Sequence, residues 1–424
     1  MTMRQASQFT HLVLSMILLF VTTVSAMAAS IIEVDSIMYT LNGDEAIVVH
    51  DDYFTSPDYY VGDIVIPESF IYQNQTYTVT AIGVEAFIYC NRITSITLPG
   101  TIRAIGDRAF EYCSALTSIE IPNSVTSIGY YAFSGCTGLT EITFPKTLTT
   151  LVEGVLKNCT SLTEVTLPKT ITSIGARLFE GCTSLTSMVV PNSVTTMGAN
   201  VFDKCYAIDS IVIGNSVPSL GDYTFNDCRA LKKVVIGKSV ASIGKYAFHG
   251  CQSLTEVTLP NPVTTIGDWA FWNCSQLLSV TIGSGVTTLG QTIFDGCHQI
   301  TSVTCLAATP PNVIYGGLFD DSGMYYHAKL HVLPEAVDAY EAAEIWKMFL
   351  QIIGDATIPV IEDVNGDGEV NVADANSVVV IIINGGSGGH TRPDGEPIDA
   401  DVNGDGEVNI ADINAIIRAI LNNL

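Results

Sequence analysis

Basic residues are scarce. The 424-residue chain holds 18 Lys and Arg against 43 Asp and Glu, a formal net charge of −25. Such a balance repels phosphate backbones and anionic lipid headgroups, which excludes nucleic acid as a partner. Charged residues of both signs make up only 14% of the chain, about half the usual share, so little of it can be solvent-facing amphipathic helix. Histidine is also thin, with seven residues scattered along the sequence. No HExxH, GxSxG or Gly-rich phosphate loop occurs in a suitable setting, so no reaction is written in its motifs. Spacing carries no signature for a glycosidase-type carboxylate pair, and that reading stays open. After the first thirty residues no apolar run approaches the roughly 20 needed to span a bilayer. Hydrophobic residues nevertheless reach 47%, which excludes a disordered chain.

At the front, Arg4 precedes an apolar run from Leu12 to Val24, and Ala26-Met27-Ala28 follows with small residues at cleavage spacing. The pattern predicts a secretory signal peptide over 1–28, removed on export, with no membrane insertion afterwards. A secreted or cell-surface location follows.

Ten of the eleven cysteines, from Cys90 through Cys182 and Cys205 to Cys297, fall 23 residues apart. A fixed period of this length means a repeat solenoid of short parallel strands. Equivalent cysteines in successive coils, about 4.8 Å apart, point the same way and are poorly placed to bond. They are expected as buried free thiols acting as small hydrophobes. Inward residues such as Ile119/Ile121 and Val165/Leu167 alternate with outward ones, marking one buried and one open strand face. Pro99, Pro122 or their equivalents, in some coils Gly214, Gly237 and Gly283, end each strand.

A second slot is Gly in nearly every coil (Gly106, Gly129, Gly175 and onward to Gly290). This implies positive φ or tight backbone approach. A third slot, Phe110 to Phe294, predicts an aromatic spine. One coil departs, with Val152 in the Gly slot and Leu156 in the Phe slot, and a locally altered turn is expected there.

The run LTSIEIPNSVTSIGYYAFSGC, from Leu116 to Cys136, resembles the 23-residue leucine-rich repeat of the BspA-like family, and the resemblance covers about 64–305. The strands of residues 29–63, and the hairpin around Tyr72 to Tyr77 that follows them, resemble a β-rich N-terminal cap. Residues 306–354, with Thr309-Pro310-Pro311, Trp346 and Phe349, resemble a mixed C-terminal cap. The resemblance implies a bacterial surface or secreted protein that adheres to a host or microbial partner.

The outward strand positions are mostly Ser, Thr and Glu and carry almost no aromatics, which favours a shallow protein-binding surface over a glycan platform. Val189, Val212 and Val235 interrupt this pattern in consecutive coils beside Lys232 and Lys233. They are candidates for a partner contact, beside the plainer reading of a β-branched ladder that favours strand pairing.

The C-terminal acid is concentrated. From Asp355 to Leu424, thirteen acidic residues meet only Arg392 and Arg418, a net of −11. Asp363, Asn365, Asp367, Glu369, Asn371 and Asp374 take loop positions 1, 3, 5, 7, 9 and 12. Position 7 serves through its backbone carbonyl, and Gly368 makes the sharp turn. Asp401, Asn403, Asp405, Glu407, Asn409 and Asp412 repeat the pattern. Hard oxygen donors so spaced select calcium, two ions in all. Pro359, Pro393 and Pro397 disfavour helices entering the loops, leaving exiting helices only. Asp412–Asn422 would set Ile413, Ile416, Ile417 and Ile420 on one face.

Paired loop-helix units of this kind resemble type I dockerins, here a small α-helical calcium-binding domain over 363–424 after a linker at 355–362. The resemblance implies docking to a cohesin module, with partner choice at loop positions 10 and 11, in this chain Val372-Ala373 and Ile410-Ala411. These differ from the Ser-Thr pair common in clostridial dockerins, which argues against a clostridial-type cohesin. Two functions are compatible with the whole pattern. One is a non-catalytic recognition and adhesion protein. The other is a non-catalytic accessory subunit of an extracellular polysaccharide-degrading, cellulosome-like complex.

Overall fold

The computed structural model describes residues 31–50, 59–314, 316–319 and 324–356. The expected signal peptide, the linker beyond Ala356 and both calcium loops lie outside the described residues.

Each coil contributes one strand of three to five residues and one of two, and each pairs in parallel with an equivalent in a neighbouring coil. Ser118, Glu141 and Glu164 stand opposite one another, as do Ile119, Ile142 and Val165. On the second ladder Ala81, Ala104 and Ser127 align. A third side has no strands. It is built of turns knitted by backbone bonds to the next coil, such as Phe110 N to Ala132 O (2.8 Å) and Phe225 N to Ala247 O (2.7 Å). The fold is therefore a parallel solenoid with two strand ladders and a turn side. Its period follows from the apolar residues that recur every 23.

The core runs the length of the coil stack. Phe87, Phe110 and Phe133 stack at 5.4 and 5.2 Å, and Phe179 through Phe294 stack at 4.9–5.6 Å. The column breaks at the buried Leu156, as the sequence pattern predicts. All eleven cysteines are free and buried. Their role is more than space filling, because Cys113 Sγ donates to Phe87 O (3.1 Å) and Cys228 Sγ to Phe202 O (3.2 Å). The nine thiols from Cys113 to Cys297 thus each tie their coil to the one before. A hydroxyl there would bring greater desolvation cost, and alanine would forfeit the bond.

The recurring glycines resolve to close approach and not to positive φ. A Cβ on Gly175 would lie 2.4 Å from Val152 C, and one on Gly244 2.5 Å from Asp222 N, so coils at this corner touch backbone to backbone. Val152 shows what a side chain does there. The ladder strand Thr150–Leu151 pairs forward with Ser173–Ile174 but not back with Ser127–Ile128. The alteration expected of this coil falls on the ladder, while the turn-side bonds continue (Tyr131 N to Glu153 O 3.1 Å, Phe133 N to Val155 O 3.0 Å). Gly244→Val is therefore expected to unpair Ser242–Ile243 from Ser219–Leu220 and to cost roughly 1–3 kcal/mol. Faster amide exchange at Gly244 with an unchanged exchange rate at Phe271 would report the local break.

The same ladder breaks again between Thr196–Met197 and Ser219–Leu220. Pro218 is the cause. Its counterparts Thr195 and Ala241 donate backbone N–H to the previous coil (2.9 and 2.8 Å), and proline has none to give.

Both ends are closed. At the front, antiparallel hairpins turn through Asp35-Ser36 and Gln73-Asn74, paired residues with φ of 50–66° that suit two-residue hairpin loops. At the back, Lys329–Val332 and Gln351–Ile353 extend the longer-strand ladder. Val337–Ala342 is a short helix, and Trp346 Nε1 donates to Pro311 O (2.9 Å). Phe319, Tyr325 and Phe349 cap the spine with edge-on packing.

Candidate functional site

The open face of the longer strands is where the sequence places a partner contact. Val189, Val212 and Val235 stand directly opposite one another, and Ser187, Ser210 and Lys233 form the next column. Val189 is 64% and Val212 39% exposed, while Val235 is half-buried. Beneath them Met188 and Ile211 are buried in the core. These three strands form one hydrogen-bonded segment, interrupted from Glu164–Thr166 on one side and Glu256–Thr258 on the other. Four of the five residues singled out in the sequence thus occupy one unit of the sheet, and Lys232 immediately precedes its third strand. Its basic half is weakened, because Lys232 Nζ sits 3.9 Å from Asp209 Oδ2 with both side chains exposed.

A feature missed by residue reading alone concerns the hydroxyls. Thr140 donates to Thr117 O, Thr186 to Thr163 O and Thr301 to Leu278 O, each 3.2–3.3 Å away in the preceding coil. Thr172, Thr195 and Thr264 do the same on the other ladder. These exposed threonines spend their donors on the scaffold, so the surface offers fewer free hydrogen bonds than its composition suggests. The first column lacks a hydroxyl at Asp209 and Lys232, beside the valines.

On the turn side, the slot after the spine residue is polar and largely buried from Glu111 to His249. Lys157 and Arg177 both pair with Glu180 (3.1 and 2.9 Å), and Asn226 Nδ2 donates to Asp203 Oδ1 (2.7 Å). That bond leaves Asn226 Oδ1 as acceptor, so His249 Nδ1, 2.5 Å away, carries the proton. Burial holds the His249 imidazole below its ordinary pKa, against the opposing pull of Asp227 and Asp203. A folded pKa below the unfolded one means protonation costs stability. His249 stabilises the fold above the unfolded value near 6.5, and the contribution is lost as pH falls through it. Asp203, raised by burial, acts oppositely at more acidic pH. His249→Gln is expected to shrink the fall in melting midpoint between pH 7.5 and 5.5. An unchanged fall would show that His249 does not titrate across that range.

No nucleophile emerges from the thiols. Burial pushes Cys136 and Cys182 up to about 12, far from the thiolate that catalysis needs. His331 Nδ1 pairs with Asp355 Oδ1 (2.7 Å). Among the described residues no group of three or more His, Cys, Asp or Glu is placed to hold a metal ion. Also among them, no helix is long and apolar enough to cross a membrane. The calcium-loop residues Asp363 to Asp374 and Asp401 to Asp412, and the cohesin-contact candidates Val372, Ala373, Ile410 and Ala411, lie outside the described residues.

Residues 80–209 and 195–322, more than half of the chain, match the BspA type leucine-rich repeat region in six copies. The chain belongs to the BspA-type leucine-rich repeat family. Residues 361–421 match the dockerin type I domain, a calcium-binding module that docks to cohesins. Both families are non-catalytic and typical of extracellular or surface proteins.

Among solved structures, a leucine-rich repeat protein from Bacteroides ovatus is 23% identical, covering 64% of this chain and 94% of its own, with a TM-score of 0.37. The pneumococcal vaccine antigen PcpA is 18% identical over 78% of this chain and 99% of its own, with a TM-score of 0.43. The leucine-rich repeat protein of T. pallidum is 24% identical over 53% and 91%, with a TM-score of 0.36. No curated protein matches the chain.

Proposed function

We propose that this is a secreted, non-catalytic recognition protein that holds a protein partner on the strand face and attaches through its dockerin to a cohesin-bearing assembly. The dockerin match carries the reading, because an attachment module joined to a repeat scaffold needs no chemistry of its own. In this arrangement residues 1–28 direct export, 29–63 and 306–354 cap a solenoid over 64–305, and 355–362 link it to the dockerin at 363–424. Val189, Val212, Val235 and the exposed Lys233 form the partner contact, with Lys232 at its rim. An apolar centre with a polar margin is the usual composition of such surfaces. Two calcium ions, held by Asp363, Asn365, Asp367, Glu369, Asn371 and Asp374 and by their counterparts from Asp401 to Asp412, set the dockerin. Val372-Ala373 and Ile410-Ala411 choose the cohesin.

Capture from envelope and extracellular-matrix protein panels by the full chain tests the two halves separately. One set of captured proteins is expected to disappear in EGTA. A different set is expected to fall at least tenfold with Val212→Glu. Capture that ignores Val212→Glu would remove the partner role from the strand face and leave the dockerin role standing.

A further inference from the structure

We propose that the cysteine row is a redox gate on folding: the chain closes into its solenoid only while its thiols are reduced, and the closed solenoid then shields them from oxidation. The ten cysteines from Cys90 to Cys297 recur every 23 residues, and each is buried to 1% exposure or less. From Cys113 to Cys297 every Sγ donates to the carbonyl 26 residues earlier, at 3.0–3.2 Å. That carbonyl already accepts a backbone N–H in its own coil, as Phe87 O does from Cys90 N (3.1 Å) and Phe110 O from Cys113 N (3.2 Å). Each of these thiols therefore has one fixed direction, toward the preceding coil, and its proton is in use.

A disulfide has no place in this row. The Phe rings that share the core with the cysteines repeat at 4.9–5.6 Å from coil to coil, and equivalent atoms of successive coils share that translation. A disulfide holds its two Cβ atoms about 3.5–4.5 Å apart with their bonds turned toward each other, whereas equivalent Cβ bonds in stacked coils are parallel. Closing the gap means drawing two coils together. The turn-side bonds beside the cysteines resist it, since Tyr112 N to Ser134 O and Asn158 N to Glu180 O are already at 2.7 Å. Cysteines two coils apart are roughly 10 Å from each other and out of reach altogether.

In the unfolded chain the same cysteines are free to meet. The cost of closing a loop rises slowly with its length, so a 23-residue spacing closes readily. Solvent restores an ordinary thiol that ionises in part near neutral pH, whereas burial in the fold pushes Cys136 and Cys182 up to about 12. With a disulfide such as oxidised glutathione as oxidant, one cysteine thiolate attacks a sulfur and releases glutathione thiolate. A second cysteine thiolate attacks the mixed disulfide and releases another. Two protein thiols become one disulfide, and one oxidised glutathione becomes two reduced. Each such bond holds two repeats in a geometry the stack does not accept, and a solenoid that grows neighbour on neighbour stops there. For the exported chain proposed above, the surroundings in which it folds are therefore poor in disulfide-forming oxidants. The gate itself does not depend on export.

Cell-free synthesis of the full chain, with either reduced or oxidised glutathione in the buffer, tests the gate. The reducing reaction is expected to give folded protein in which alkylation and mass spectrometry find all eleven thiols free. The oxidising reaction should give at least tenfold less folded protein, with disulfides among the spaced cysteines of the remainder, and dithiothreitol present during synthesis should restore the yield. Folded protein moved into the oxidising buffer should keep its thiols and its melting midpoint. The proposal is overturned if the oxidising reaction yields as much folded protein as the reducing one, or if folded protein carries a disulfide between any two of the ten. It is equally overturned if the folded protein loses its thiols as fast as the same chain in urea.

Discussion

Phe225→Ala is expected to cost about 3–5 kcal/mol and to split the unfolding of the solenoid into two transitions. The ring is fully buried and stacked between Phe202 at 5.5 Å and Phe248 at 5.1 Å, so truncation leaves a cavity bounded by two rigid rings that cannot close on it. In a solenoid each coil touches only its neighbours, and cooperativity between the two halves passes through that interface. Leucine is the informative control. Leu156 occupies the same slot naturally, fully buried, with the turn-side bonds on both sides intact. Phe225→Leu should therefore cost less than about 1.5 kcal/mol and retain a single transition. Calorimetric scans of the two variants provide the comparison. A single sharp transition in Phe225→Ala would show that the strand ladders, and not the spine, carry the cooperativity.

How far the sequence could be read depended on whether a residue's role lies in its own coil or between coils. The cysteine ruler, the Phe column and its gap at Leu156 are periodic facts, and periodicity alone places them in a buried stack. The Gly slot was legible only as a pair of options, because φ belongs to the backbone path and not to the residue type. At Gly175 and Gly244 the path is ordinary and the next coil is what excludes a side chain. The positive φ values fall elsewhere, two residues after that glycine and just before each cysteine, at Tyr223 and Asn273 for example. Glycine or asparagine before several cysteines was the available signal.

The break beside Pro218 could also have been anticipated, since its slot is Thr or Ala elsewhere and must donate an N–H. The threonine donors were harder. Thr140 and Thr186 look free on a strand face until the preceding carbonyl is placed 3.2–3.3 Å away. A second aromatic column, Tyr223, Tyr246 and Trp269 on the turn side, was visible at 23-residue spacing. Attention to the strand face alone passes over it, because those residues belong to a side that carries no strands.

Removing calcium is expected to abolish capture of a cohesin module while leaving the melting of the solenoid within a few degrees. Asp363, Asp367 and Asp374 in one loop, and Asp401, Asp405 and Asp412 in the other, gather carboxylates in a segment with a net charge of −11. Without a cation these groups repel one another. On the proposed reading they become its ligands, and the free energy of calcium binding is then also free energy of folding for the module. The solenoid has no such dependence, since its coils are held by buried Leu, Ile, Val and Phe and by hydrogen bonds between coils. Calorimetry of the full chain should find two calcium sites, one after Asp367→Ala or Asp405→Ala, and none after both. Cohesin capture should fall by at least a hundredfold in the double variant and in EGTA. The two loops are near-identical, so either single variant should weaken capture without ending it. Cohesin capture that persists in EGTA would separate docking from calcium and end the reading of these loops as its switch. Two calcium sites with no cohesin bound by the intact chain would make the module a stabilised tail and leave recognition to the solenoid surfaces.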